Sequence, residues 1–304
     1  MEENDMSMTM ENFCSIIKNN IQKELGDNFT VSIMPTLKNN GTKLTGLAIT
    51  EDGCCVSPNI YLDFYYKEYM DGRISLKEIE CGILECYRSS RPQSGRFDLS
   101  GFTEWETAKP RLVCRLINYS DNRELLETAP HERFLDFTVV CYYLADMDGS
   151  AAILVQDRFL TLWGKHKSEA VQAAKENTFR LFTPSICGIT DMIMELTGGM
   201  ETCGLDKGGA SSMYVLTNRN KMNGAIEILR PNLLKNFADQ IRDDLYIIPS
   251  SIHEVLLVPV SRTAGGSMEL SEMVREVNRT QVERTETLSD HVYYYSRETD
   301  RITM

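Results

Sequence analysis

Residues 111–155 read RLVCRLINYSDNRELLETAPHERFLDFTVVCYYLADMDGSAAILV, and this stretch decides the fold class. Arg111 to Asn118 alternate apolar and polar residues with a period of two, the signature of a half-buried strand. Asn122 to Leu126 begin a helical turn. Phe137 to Ala145 and Ala151 to Val155 are β-branched and aromatic runs around Met147-Asp148-Gly149, which predicts a hairpin. Successive strands here are joined by a short turn or a hairpin, and no full crossover helix separates them. That predicts an α+β fold, with mostly antiparallel sheet flanked by helices, rather than a parallel βαβ sheet.

Outward toward the N-terminus, Phe13, Ile16, Ile17, Ile21 and Leu25 form one apolar stripe of a helix over 9–25, and Gly26 supplies the stop. Phe29, Val31 and Ile33 alternate, Asn39-Asn40-Gly41 carries positive-φ turn chemistry, and Leu44 to Ile49 return as the partner strand. Tyr61, Tyr65, Tyr66 and Tyr69 mark a short helix over 60–70 and are expected to pack in the core. Ser75 and Glu78 form a capping box for the next helix. Arg91 to Gly101 reads as a loop, and 101–108 as a short helix. Outward toward the C-terminus the reading gives helices over 157–163 and 188–197, and a longer one capped by Ser168 that ends before Pro184. Strands are expected over 213–217, 245–248, 254–258 and 291–295, with helices from Pro231 to Ile241 and over 268–282. Gly224 to Leu229 fits strand or helix. Gly198 to Ser212 holds five glycines and reads as a flexible loop. The length of 304 residues fits one large domain or two closely packed halves, 1–118 and 119–304.

The net charge of −12 repels phosphate backbones. Arg88, Arg91 and Arg96 around Pro92 and Gly95 form a local basic cluster, but that pattern fits a solvated loop better than a nucleic-acid surface. No apolar run approaches the roughly 18 residues a membrane span needs. The acidic start Met1-Glu2-Glu3-Asn4-Asp5 lacks the basic and apolar regions of a secretory leader, so a cytoplasmic location is expected. Nine cysteines, an odd number, scatter from Cys14 to Cys203 and read as reduced thiols, several of them small core hydrophobes.

Several stretches resemble a family of proteins. They are Asn39-Asn40-Gly41-x-Lys43-Leu44-Thr45-Gly46-Leu47, Leu116-Ile117-Asn118, Asn122-Arg123-Glu124-Leu125-Leu126 and Pro130-His131-x-x-Phe134-x-Asp136. Further on come Met213-Tyr214-Val215-Leu216-Thr217-Asn218, Asn223-Gly224-Ala225, Pro249-Ser250-Ser251-x-His253-Glu254-Val255, Met273-Val274-Arg275-Glu276-Val277-Asn278 and Leu288-Ser289-Asp290-His291-Val292-Tyr293. The family they resemble is an uncharacterised domain-of-unknown-function family of anaerobic Gram-positive gut bacteria, and the resemblance runs through nearly the whole chain. From Phe134 to Val260 the order of elements is also similar to that of the YtpQ-like proteins, which implies a shared α+β fold. Neither resemblance implies an activity.

The chemistry must therefore come from the residues. His253-Glu254 lacks the second histidine of a zinc-protease helix, because position 257 is Leu and the context reads as a strand. No CxxC pair occurs; Cys54 and Cys55 are adjacent, and Cys81 and Cys86 lie five apart on a helix, so no metal site and no cofactor are expected. Lys207 precedes Gly208-Gly209 where a phosphate loop needs it to follow. The most concentrated polar group is Asn118, Asn122, Arg123, Glu124, His131 and Asp136. In it Arg123 could clamp a carboxylate or phosphate, with Asn118 and Asn122 as further ligand contacts, and His131 could act as a base oriented by Asp136. His253 and His291 are the other catalytic candidates. The competing reading is that these residues cap a turn. With no recognisable catalytic motif, the chain reads as a non-catalytic binding or interaction protein for an unidentified protein or small molecule. The alternative is a hydrolase-like enzyme built on Arg123, His131 and Asp136.

Overall fold

The computed structural model describes residues 8–53, 58–90, 101–146, 151–191, 212–249, 251–263 and 266–304. The chain is α+β, and every strand pairing among the described residues is antiparallel. It divides into two compact units, residues 1–38 with 42–98, and residues 39–41 with 99–304.

The first unit begins with α1 (Met10–Leu25), whose first turn is capped by the Thr9 hydroxyl accepting the Asn12 N–H at 3.2 Å. Gly26 ends it at φ 80°, in the left-handed region that glycine adopts without strain. β1 (Phe29–Leu37), β2 (Lys43–Glu51) and β3 (Asn59–Tyr61) form a three-stranded sheet in that order. α2 (Leu62–Met70) and α3 (Leu76–Ser90) follow. The Ser75/Glu78 capping box forms as expected, with the Glu78 carboxylate accepting the Ser75 N–H at 2.8 Å. Phe13, Ile17 and Ile21 of α1 pack with Leu47, Ile49, Ile79 and Ile83 in one core. Tyr65, Tyr66 and Tyr69 lie against it, with the Tyr66 ring 5.4 Å from that of Phe13.

In the second unit, α4 (Trp105–Ala108) precedes β4 (Leu112–Asn118), and α5 (Arg123–Leu126) is the short turn after it. β5 (His131–Phe134), β6 (Phe137–Leu144) and β7 (Ala152–Leu154) complete a four-stranded sheet around β6. β4 lines one edge of β6, and β5 and β7 line the other. β4 thus belongs to the second unit through its partner β6, although it precedes the division at residue 118 expected from sequence. α6 (Asp157–Trp163) and α7 (Lys167–Leu181) follow. The cap of α7 is His166, not Ser168: its Nδ1 accepts the Ser168 N–H, and Glu169 accepts the His166 N–H at 3.0 Å.

The other sheet of this unit runs β13-β12-β10-β11-β9-β8. Its strands are β8 (Pro184–Gly188), β9 (Tyr214–Asn218), β10 (Leu245–Ile248), β11 (Val255–Pro259), β12 (Tyr293–Ser296) and β13 (Arg301–Thr303). Residues 224–229 settle as a 3-10 helix, and α8 (Leu233–Ile241) and α9 (Gly266–Thr280) complete the unit. β11 starts at Val255, so His253 and Glu254 stand just ahead of the strand rather than inside it. β3, β5, β8 and β13 were not expected from sequence. The loops at 91–101 and 198–212 and the turn at 147–149 lie wholly or mainly outside the described residues, as does the helix over 188–197 beyond residue 191. A single apolar core joins the two sheets, from Leu116, Phe137 and Val139 to Leu216, Ile247, Leu257 and Tyr293.

Candidate functional site

The site lies where β4 ends and β6 begins. Pairing of Asn118 and of Phe134 with Phe137 brings the β5–β6 turn beside the end of β4. The turn is tight, with Leu135 at φ 55°, and the Tyr119 N–H donates to the Asp136 carbonyl at 2.9 Å. The Asp136 carboxylate is therefore held on a fixed backbone.

Three side chains from the last part of the chain converge on that carboxylate. Oδ2 accepts the Ser289 hydroxyl at 3.0 Å and His291 Nδ1 at 3.0 Å, and Oδ1 accepts the Tyr293 hydroxyl. Residues 289, 291 and 293 alternate in sequence, and with the backbone bending at Asp290 all three reach the same carboxylate. Ser289 and Tyr293 are buried, and the Tyr293 ring packs 4.9 Å from Phe137. Burial, with the neighbouring carboxylate adding to it, pushes the Tyr293 phenol well above its ordinary range. His291 is half exposed. Because Nδ1 faces a carboxylate, the proton belongs on Nδ1 and the Nε2 lone pair is left for a ligand or a proton. Ser289 stands on the Nδ1 side of the ring, at 3.4 Å, and directs its proton to Asp136. The three residues are therefore not ordered as nucleophile, base and carboxylate.

Beside this carboxylate, Tyr119 carries two cations. The Arg123 guanidinium lies over its ring at 4.2 Å and that of Arg133 at 4.4 Å, both to the centroid. α5 buries Leu125 and Leu126 and thereby leaves Arg123 exposed at its first position. On β5, His131 and Arg133 share a face while Glu132 takes the other and meets Lys175 at 2.6 Å. Arg133 Nε donates to the Leu135 carbonyl at 3.0 Å. His131 Nδ1 lies 2.8 Å from the Ala129 carbonyl, so that nitrogen donates, and its ring sits 6.4 Å from Tyr119. Among the described residues, no carboxylate pairs with either guanidinium.

The asparagines are bound into the fold. Asn122 Nδ2 donates to the Asn118 carbonyl at 2.8 Å and to Asn40 Oδ1 at 2.9 Å, and its Oδ1 accepts the Asn40 N–H at 2.8 Å. Asn118 Nδ2 donates to the Leu288 carbonyl at 3.1 Å, and its Oδ1 accepts from Ser120 and Asp121. The Asn118 bond anchors the 118–122 loop to the segment leading into Ser289. His253 lies apart: Nδ1 accepts the Asn223 N–H at 3.1 Å, and Nε2 is 3.5 Å from Glu286. The structure thus joins Asp136 to His291 rather than to His131, and brings Arg123 and His131 together on Tyr119. Tyr119, Arg133, Ser289 and Tyr293 were missed from sequence; the alternation of 131 with 133 and of 289, 291 and 293 was the available signal.

Among the described residues, no group of three or more His, Cys, Asp or Glu side chains is placed to hold a metal ion. No helix among them is long and apolar enough to cross a membrane. Of the basic cluster at Arg88, Arg91 and Arg96, only Arg88 is among the described residues. A model of DUF5688, a family of unknown function, matches residues 10–297. The chain belongs to this family. The match takes in both units and every residue of the site. No curated protein and no solved structure shows a significant match to the chain.

Proposed function

We propose that this DUF5688 protein is a non-catalytic binding protein whose ligand carries a carboxylate or phosphate, received by Arg123 and Arg133 on Tyr119. The observation that carries this reading is the pair of guanidiniums on one ring, without a carboxylate partner among the described residues, in a chain of net charge −12. Two cations gathered on one ring raise the local positive potential, and an anion held there gains charge-assisted hydrogen bonds. His131 adds a third donor or acceptor at the same place. The separation of the histidines also favours binding over catalysis, since His131 is tied to a backbone carbonyl and His253 to a backbone amide. The acidic composition and the resemblance to proteins of gut anaerobes support a bacterial cytosolic setting. The order of elements from Phe134 to Val260 supports kinship in fold with the YtpQ-like proteins.

A second reading, a hydrolase-like enzyme, is favoured by one observation, the hydrogen bond from His291 to Asp136, which leaves Nε2 available as a general base. Native mass spectrometry of protein purified gently from its host separates the two. The binding reading expects a small anionic mass on the wild-type chain that the Arg123→Gln/Arg133→Gln variant loses while Asp136→Asn keeps it. Bare mass in both arginine forms counts against it. Turnover of a hydrolysable ester or phosphate that Asp136→Asn abolishes establishes the enzyme.

A further inference from the structure

A cavity of about 320 Å³ opens in the second unit between the end of β5 and the C-terminal hairpin of β12 and β13. Its apolar lining comes from Phe134, Ile228, Leu229, Leu234 and Ile302. Its volume falls at the lower end of the range for small-molecule sites. The charged groups of its lining are unequal in what they have left to offer. Arg230 is committed, to the buried carboxylate of Glu227 and to the carbonyls of Phe179 and Phe182 at 2.7 and 2.6 Å. Asp300, the acid in the lining, accepts the Tyr295 hydroxyl at 2.6 Å. Lys235 meets Asp239 at 2.6 Å in a surface pair of the kind that water and ligands readily replace. Arg301, exposed on the edge strand, has no acidic partner among the described residues. Arg301 therefore offers, beside an apolar wall, a guanidinium unpaired among the described residues, with the Asp300 carboxylate turned to Tyr295.

We propose that this cavity binds a small amphipathic carboxylate, its hydrocarbon body inside and its head on Arg301 with Lys235 beside it. This site is distinct from the Tyr119 platform and does not depend on the function assigned to it. Burial of a chain of methylenes supplies affinity that grows with length until the cavity is full. The free guanidinium selects the anion over a neutral group of the same shape.

Isothermal titration calorimetry with octanoate, acetate and octan-1-ol, at low salt, tests this directly. In the Arg123→Gln/Arg133→Gln protein, where the Tyr119 platform is removed, octanoate is expected to bind with a stoichiometry of one, acetate at least about tenfold more weakly, and octan-1-ol about tenfold more weakly than octanoate. Arg301→Gln should weaken octanoate by about tenfold and leave octan-1-ol unchanged. Ile302→Trp, which fills the cavity, should abolish both. Thermal unfolding of each variant checks that the fold is kept, and Arg301→Gln changes only an exposed side chain. In wild type any additional carboxylate bound at the Tyr119 platform appears as a second event that octan-1-ol does not share. Absence of octanoate binding, equal affinity for the alcohol and the carboxylate, or full octanoate affinity in Arg301→Gln overturns the proposal.

Discussion

Asp136 holds one end of the second unit together because a single carboxylate receives hydroxyls from Ser289 and Tyr293 and a ring nitrogen from His291. Tyr293→Phe removes one donor to a charged acceptor in a buried place, and should lower the free energy of urea unfolding by about 1.5–3 kcal/mol at neutral pH. The effect has a sign in pH. The folded state holds the Tyr293 proton well above the ordinary value of 10.0, so its contribution is complete below that pH. It is lost as pH rises beyond it, because the unfolded chain ionises first. Wild-type stability should therefore fall more steeply above about pH 10 than that of Tyr293→Phe, and equal slopes would contradict this account. Asp136 and His291 were each legible in the sequence as candidates. Their pairing was not, because 155 positions separate them and no local pattern encodes which carboxylate a histidine will meet.

At the scale of elements, the long features were legible and the short strands were not. α1 and α3 announced themselves by their apolar stripes and caps, and β4 and β6 by alternation and length. β5 is the four residues His131–Phe134, too short and too polar to show a period, and its strand character comes from its partner β6. β8 opens on Pro184, which reads as a helix stop, yet it sits at a sheet edge where a missing N–H costs no ladder bond. Because β5 was read as loop, Arg133 went unnoticed beside His131. The turn over 223–229 is an element whose rigidity can be tested. A Cβ on Gly224 would lie 2.6 Å from the His253 carbonyl and 2.8 Å from the Asn218 nitrogen, both backbone atoms. Gly224→Ala should cost about 1–3 kcal/mol in chemical denaturation. A neutral result would mean that the β9 end and the 253 loop are free to separate.

For the whole molecule, the charge balance gives the arginine pair its meaning. An acidic chain repels anions in general, so a place that concentrates cations without acidic partners selects an anion by position rather than by bulk field. Composition conveyed the first half of that statement. The second half required Tyr119, Arg123 and Arg133 to be brought together by the β4–α5 loop and β5. The most direct test is calorimetric titration of the wild-type protein and the Arg123→Gln/Arg133→Gln variant with inorganic phosphate and with a dicarboxylate such as succinate, at low and at raised salt. The account predicts saturable binding of at least one of these anions to the wild type, weakened by salt and reduced at least about tenfold in the variant. Binding of equal strength in both proteins, or none in the wild type, would contradict it.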